Sequence, residues 1–182
     1  IVNLNWSHLP AGALGCALSH RCIWERLAKP QPGERPVSWA LVLEDDLLAV
    51  AGDFRRRLRK TLALLPVDWD FCYVGYHCGR TFAKLLTGEG LEPALGGELR
   101  ELLRVLPTAV SSEWDLRDDV QGTFGYLVSA EGARKLLQPG VIFPLHKQID
   151  QELSRAFCSQ PISAWRLSEE DALVFSPPFH CA

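Results

Sequence analysis

The segment Ser38-Trp-Ala-Leu-Val-Leu-Glu-Asp-Asp46 holds the strongest chemical signal in the chain. A short apolar run ends in three consecutive carboxylates, Glu44, Asp45 and Asp46. Such a run fits a buried strand of a parallel sheet. In open α/β sheets, ligands bind beyond the carboxyl ends of the strands. Carboxylates crowded there repel one another unless a cation lies between them. Oxygen donors of this kind suit Mg²⁺, Mn²⁺ or Ca²⁺, and a cation in that place points to a phosphate-bearing substrate. A polar loop following a strand explains the same residues, and the motif alone does not choose between the two.

Four further positions carry chemistry under one reading and structure under another. His20 falls on the apolar face of a helix, beside Ser19. It is either a core histidine with a satisfied hydrogen bond or a contact to a diphosphate or ribose. Asp150 sits at a helix start, where the macrodipole favours an ionised carboxylate. It is a general base or merely a helix-start acid. His180 follows Pro177 and Pro178, which hold the chain extended. A neutral imidazole suits Mn²⁺ better than Mg²⁺, yet alone it reads as a surface histidine. Asp68 and Asp70 bracket Trp69 before a strand, and a structural role is expected for them.

The elements that must position these residues follow from periodicity. A helix is expected over 15–28, with Cys16, Ala17, His20, Ile23, Trp24 and Leu27 on one face. Pro30-Gln-Pro-Gly33 breaks it, and the strand from Val37 to Leu43 delivers the acids. Asp53 is expected to cap a second helix with Phe54, Leu58, Leu62 and Leu65 buried, ended by Pro66. Arg55, Arg56, Arg57, Arg59 and Lys60 read as its solvated face. A second buried strand covers 69–75. The stretch 79–122 is irregular, with one helical piece from Leu99 to Leu106, and is expected to face the acceptor. A third strand runs from Thr123 to Val128, after which Ser129 caps a helix through Leu137. A last helix carries Ile149, Leu153 and Phe157, and a strand-like tail begins at Asp171. Strands alternating with helices indicate a layered α/β domain.

The 182 residues fit one domain, large enough to bury roughly 70% of its unfolded surface. A net charge of −3 argues against a general nucleic-acid binder. No apolar run reaches the roughly 20 residues of a membrane span. The chain has no methionine and opens with Ile1-Val-Asn-Leu, as if mid-protein, so truncation at the N-terminus is expected. None of the six cysteines forms a Cys-x-x-Cys pair, which disfavours a zinc ribbon. Reduced thiols and a disulfide or two both fit. Asn5-Trp6-Ser7 matches a glycosylation sequon, a pattern common by chance.

Taken in order, several motifs resemble glycosyltransferase family 25. They are Gly15-Cys-Ala-Leu-Ser-His20, Trp24, Leu43-Glu-Asp-Asp46, Asp68-Trp-Asp70 with Tyr73-Val-Gly75, Tyr126-Leu-Val-Ser129 with Gly132-Ala133 and Lys135-Leu-Leu137, and Asp150. The likeness runs from about Leu14 to His180. That family includes bacterial lipooligosaccharide galactosyltransferases and the procollagen galactosyltransferases of animals.

The resemblance implies a single α/β domain over 1–182 of GT-A type, a nucleotide-diphospho-sugar transferase fold with a mixed, mostly parallel sheet flanked by helices. It implies that Glu44, Asp45 and Asp46 replace the Asp-x-Asp element, with Glu44, Asp46 and His180 on Mn²⁺ (or Mg²⁺). Ser19, His20, Glu44 and Asp45 would meet the UDP-sugar donor, and Asp150 would deprotonate or position the acceptor. The implied reaction is an inverting transfer, of galactose, to a hydroxyl on a glycan or a hydroxylysine-type protein acceptor. It needs no covalent intermediate, so Cys16 has no catalytic part. The setting would be the secretory pathway for a eukaryotic member, and the cytoplasm or membrane for a bacterial one. Only fourteen residues precede Gly15, where family members carry a first nucleotide-binding strand. A non-catalytic binding module is therefore the alternative. An unrelated Mg²⁺-dependent phosphatase would need a second acid cluster, and only Asp118-Asp119 offers one.

Overall fold

The computed structural model describes residues 9–77, 102–104, 120–168 and 171–176. Helix α1 (Ala11–Ala28) leads to strand β1 (Trp39–Leu43), the short β2 (Ala49–Val50), α2 (Phe54–Leu64) and β3 (Phe71–His77). Strands β4 (Leu102–Arg104) and β5 (Gln121–Ser129) follow. Then come α3 (Ala130–Leu136), α4 (Ile149–Ser159), β6 (Ala164–Leu167) and β7 (Val174–Phe175). The main sheet has the order β1-β5-β3-β6-β4, and β2 pairs with β7 in a separate ribbon.

The sheet is mixed and flanked by helices, but it is not mostly parallel as expected. Among the described residues, β5 pairs antiparallel with both β1 and β3, β4 pairs antiparallel with β6, and only β3 with β6 is parallel. β1 lies at the edge and is only partly covered, so the apolar run before the acids is not a central buried strand. The expected helical piece around 99–106 is a strand at 102–104, where its backbone completes the ladder of β6. The rest of 79–119 lies outside the described residues.

Alternating side chains split the core into two layers. Phe71, Tyr73, Tyr126 and Val128 face α1, α3 and α4, meeting Trp24, Ala133, Leu136, Leu153 and Phe157. Cys72, Val74 and Leu127 face the other way, against α2 and β7. α1 starts earlier than its apolar stripe because Pro10 needs no hydrogen-bond partner for its nitrogen, and its carbonyl accepts from Leu14 N–H at 3.2 Å. Of the expected stripe, Ala17, His20, Trp24 and Leu27 are buried, whereas Ile23 is exposed. Ser129 caps α3 as expected, its hydroxyl accepting from Gly132 N–H at 2.9 Å.

Two expectations about charge divide. Asp70 is structural: buried, it accepts from Lys135 Nζ at 2.6 Å and Ser163 N–H at 2.8 Å, tying β3 to α3 and to the entry of β6. Asp53 makes no side-chain cap bond; its carboxylate instead takes Arg56 and Arg57. Arg57 is not on a solvated face. It is buried, 2.7 Å from Asp53 and 3.9 Å from the buried Asp171, and so anchors the segment that becomes β7.

β7 reaches the sheet through a gap left by two paired glycines. Gly75 and Gly125 lie opposite one another across β3 and β5, where the register slips after Tyr73. A Cβ on Gly125 would stand 2.2 Å from Val174 Cγ2, and one on Gly75 would stand 2.4 Å from the same atom and 2.5 Å from the Val174 carbonyl oxygen. The gap lets Leu173 N–H reach Val74 O at 2.7 Å. Gly125→Ala is expected to lower stability by about 1–3 kcal/mol through overpacking. Gly12→Ala, on open α1 surface with nothing within 4 Å of the new Cβ, should raise it by up to about 1 kcal/mol. Urea unfolding of both variants checks the contrast.

Candidate functional site at the edge of the sheet

β1 and β3 both run against β5, so their carboxyl ends and the start of β5 share one edge of the sheet. There, three consecutive residues of β5 meet three chemically active side chains. Gln121 pairs with His77 at the end of β3. Gly122 N–H donates to Asp150 Oδ2 at 3.1 Å. Thr123 donates its hydroxyl to Glu44 Oε1, while Glu44 N–H donates to Phe124 O at 3.1 Å, carrying the pairing one residue past β1.

Glu44 is half-buried, and one of its oxygens is crowded. Oε1 accepts from Thr123, from His20 Nε2 at 3.1 Å and from the Cys16 thiol at 3.8 Å. Among the described residues, no donor reaches Oε2. Burial opposes ionisation of Glu44, but the hydrogen bonds from His20 and Thr123, with the influence of His20, outweigh it and hold the carboxyl below its ordinary range. His20 is buried and its Nδ1 lies 2.8 Å from Tyr126 Oη, which also accepts from Trp24 Nε1 at 3.0 Å.

Asp150 occupies the first turn of α4, with Oδ1 accepting from Gln151 N–H at 2.8 Å. With Gly122 on the other oxygen, the carboxylate is fixed in orientation. Its partner Gly122 adjoins Thr123, the residue that holds Glu44. Asp46 is exposed, and its charge reaches His77, as does that of Glu44. Asp45 and Ser19 are exposed; the Ser19 hydroxyl turns back to Gly15 O at 2.9 Å. His180 lies outside the described residues. The structure therefore brings Glu44, His20 and Asp150 to one edge with Asp46 beside them, and leaves Ser19 and Asp45 on the surface around it.

Residues 4–70 match the family described as "Glycosyltransferase family 25 (LPS biosynthesis protein)". Over 175 residues the chain is 34% identical to procollagen galactosyltransferase 1-B of Xenopus laevis, which covers 92% of this chain and 24% of that protein. The chain belongs to glycosyltransferase family 25. It is also 32% identical over 158 residues to a glycosyltransferase 25 family member of Aedes aegypti, covering 85% of this chain and 21% of that one. A third family-25 relative, inactive glycosyltransferase 25 family member 3 of Mus musculus, is 32% identical over 158 residues, covering 84% and 22%. The chain thus spans less than a quarter of the length of these relatives. No solved structure matches it.

Two donor sets at this family-25 site could meet a cation. Ligand atoms of Cys16, His20 and Glu44 lie within 4.8 Å of one another, but both His20 nitrogens already have partners. The other set is the open oxygen of Glu44 with Asp46. Those are hard oxygen donors on the solvent side, and they fit Mg²⁺ or Mn²⁺. Cys16, Thr123, His77 and Tyr126 were not among the expected site residues. His77 was findable, because it ends an apolar run as Glu44 follows one. Burial holds its imidazole pKa below the ordinary value, partly offset by Asp46 and Glu44.

The Cys16 thiol is pushed up to about 11, first by burial and then by the charge of Glu44. Cys22, by contrast, is exposed. At neutral pH, iodoacetamide should therefore label Cys22 well before Cys16, and Glu44→Gln should speed labelling of Cys16; mass spectrometry of the two peptides reads both. The depressed pKa of Glu44 also has a sign. Its contribution to stability is complete above its ordinary value of 4.5 and fades as pH falls from there towards the folded-state value. Glu44→Gln should accordingly flatten the loss of stability below that pH, measured by denaturant unfolding across the acid limb.

Proposed function

We propose that this chain carries the donor site of a metal-dependent, inverting glycosyltransferase of GT-A type. It moves a sugar from a UDP-sugar to a hydroxyl on a glycan or a hydroxylysine-type protein acceptor. Galactose is the sugar favoured by the names of the relatives. The observation that carries this reading is Glu44, its carboxyl held below the ordinary range with one oxygen unengaged among the described residues, beside Asp46 in sequence and one β5 residue away from Asp150.

Each residue then has a task. Glu44 and Asp46 would hold the divalent ion, which would supply Lewis-acid neutralisation of the departing diphosphate. His180 is assigned to the same ion. Support for that assignment is the family resemblance of the Pro178-Phe-His180 ending. Ser19 and Asp45, exposed next to His20 and Glu44, are assigned to the nucleotide. Asp150 takes the acceptor hydroxyl proton. The acceptor oxygen bonds to the anomeric carbon as the bond from that carbon to the diphosphate oxygen breaks, and its electron pair leaves with UDP. A single displacement inverts the centre and needs no nucleophilic side chain. A non-catalytic binding module is the second reading, favoured by the likeness to a relative named inactive.

Calorimetry with UDP, with and without Mn²⁺, and UDP-galactose turnover separate these readings. Wild type should bind UDP more tightly with Mn²⁺ and turn over the donor. Asp46→Ala should lose the Mn²⁺-dependent affinity. Asp150→Asn should keep binding and lose about 10²-fold or more in turnover. Mn²⁺-dependent binding without turnover identifies the binding module, and metal-independent turnover overturns the mechanism.

A further inference from the structure

Trp24, Tyr126 and His20 form a hydrogen-bonded chain that ends on Glu44, and counting donors fixes its direction. The Trp24 indole N–H can only donate, so Tyr126 Oη accepts it, at 3.0 Å. The Tyr126 hydroxyl proton then needs an acceptor, and the atom 2.8 Å away is His20 Nδ1. Nδ1 therefore carries no proton and Nε2 carries one. From the other end, an ionised carboxylate accepts only, and Nε2 lies 3.1 Å from Glu44 Oε1. Both ends give the same tautomer. With the proton on Nδ1, two donors would point at Tyr126, whose own proton would be stranded in the core. The nitrogen lone pair at Nε2 would also face the carboxylate.

The chain is anchored where nothing can move cheaply. Trp24 and Tyr126 are fully buried and His20 nearly so. The His20 ring also lies 5.5 Å from the Tyr126 ring and 6.2 Å from that of Trp24. Turning His20 towards a ligand would break both ends of the chain.

We propose that His20 is a positioning residue, not a metal ligand or a donor contact: held as the Nε2–H tautomer by Trp24 and Tyr126, it binds Glu44 Oε1 and presents Oε2 to the ligand. The inference rests on the reading of Glu44 as a ligand of the donor's cation, and it replaces the expected contact of His20 with the nucleotide-sugar.

Long-range ¹H–¹⁵N spectra of the 182-residue chain with labelled histidine test the tautomer directly, with His20 assigned by the signal lost in His20→Gln. A single Nε2–H tautomer, unmoved by added Zn²⁺, is expected. An Nδ1–H tautomer, a mixture, or a coordination shift at Nε2 on adding Zn²⁺ overturns the proposal. Two variants then test the role. Gln places its amide N–H where Nε2–H lies, whereas Asn reaches only the Nδ1 position. His20→Gln should stay within about threefold of wild type in Mn²⁺-dependent UDP affinity, and His20→Asn should fall about tenfold or more. Melting temperatures are measured alongside, since a purely structural residue would lose affinity equally in both variants. Equal loss, or no loss in either, overturns the role. If wild type binds no Mn²⁺–UDP, the functional reading fails, and the spectra still decide the tautomer and the metal contact.

Discussion

Three adjacent residues at the start of β5 hold the candidate site together. Gln121, Gly122 and Thr123 bring His77, Asp150 and Glu44 to one edge, each through a backbone or side-chain contact set by β-sheet geometry. That is possible because β5 runs against both neighbours. Two carboxyl ends and one amino end then coincide, and α4 enters beside them. Were β1 and β3 direct parallel neighbours, no third strand would sit between them to offer a hydroxyl and an amide to two carboxylates at once. The reversed strand thus does more than complete a sheet; it supplies the polar floor of the site.

The floor resolves an electrostatic conflict. A half-buried carboxylate tends to protonate, and the surroundings of Glu44 counter this with hydrogen bonds concentrated on one oxygen. Burial first, and then the neighbouring charge of Glu44, makes the Cys16 thiol hard to ionise. A group kept charged and a group kept neutral therefore share one environment. Both follow from the placement of α1 over the edge strand, with its buried stripe of Ala17, His20, Trp24 and Leu27 packed inward.

What the sequence made legible was local. The acids after an apolar run, the Ser129 cap and the stripe of α4 all depend on residues a few positions apart, and each lies where the local pattern placed it. What escaped was non-local. Nothing in the run Gln121–Ser129 states that it inserts between β1 and β3, so the mostly parallel sheet implied by the resemblance met no local contradiction and the partnership of Thr123 with Glu44 was not expected. Arg57 was grouped with its basic neighbours because the anchoring Asp171 lies far along the chain. Leu99–Leu106 suggested a helix from composition alone, whereas the unpaired backbone of β6 recruits its centre as a strand. His20 shows the intermediate case: its burial could be read from helical spacing, but its proton could be assigned only after Tyr126 was found beside it.

The paired glycines also set an order of assembly. The recess that receives Val174 does not exist in either β3 or β5 alone; it forms when Gly75 and Gly125 come opposite one another. β7 can therefore dock only on a ladder already zipped, and β2 gains its partner at that moment. In kinetic terms, the β2–β7 ribbon is expected to form after the folding barrier, with contacts of low φ-value. Local opening of the native chain would then begin at this ribbon, peeling the strands beside the acid loop from the sheet while β1, β3 and β5 stay paired.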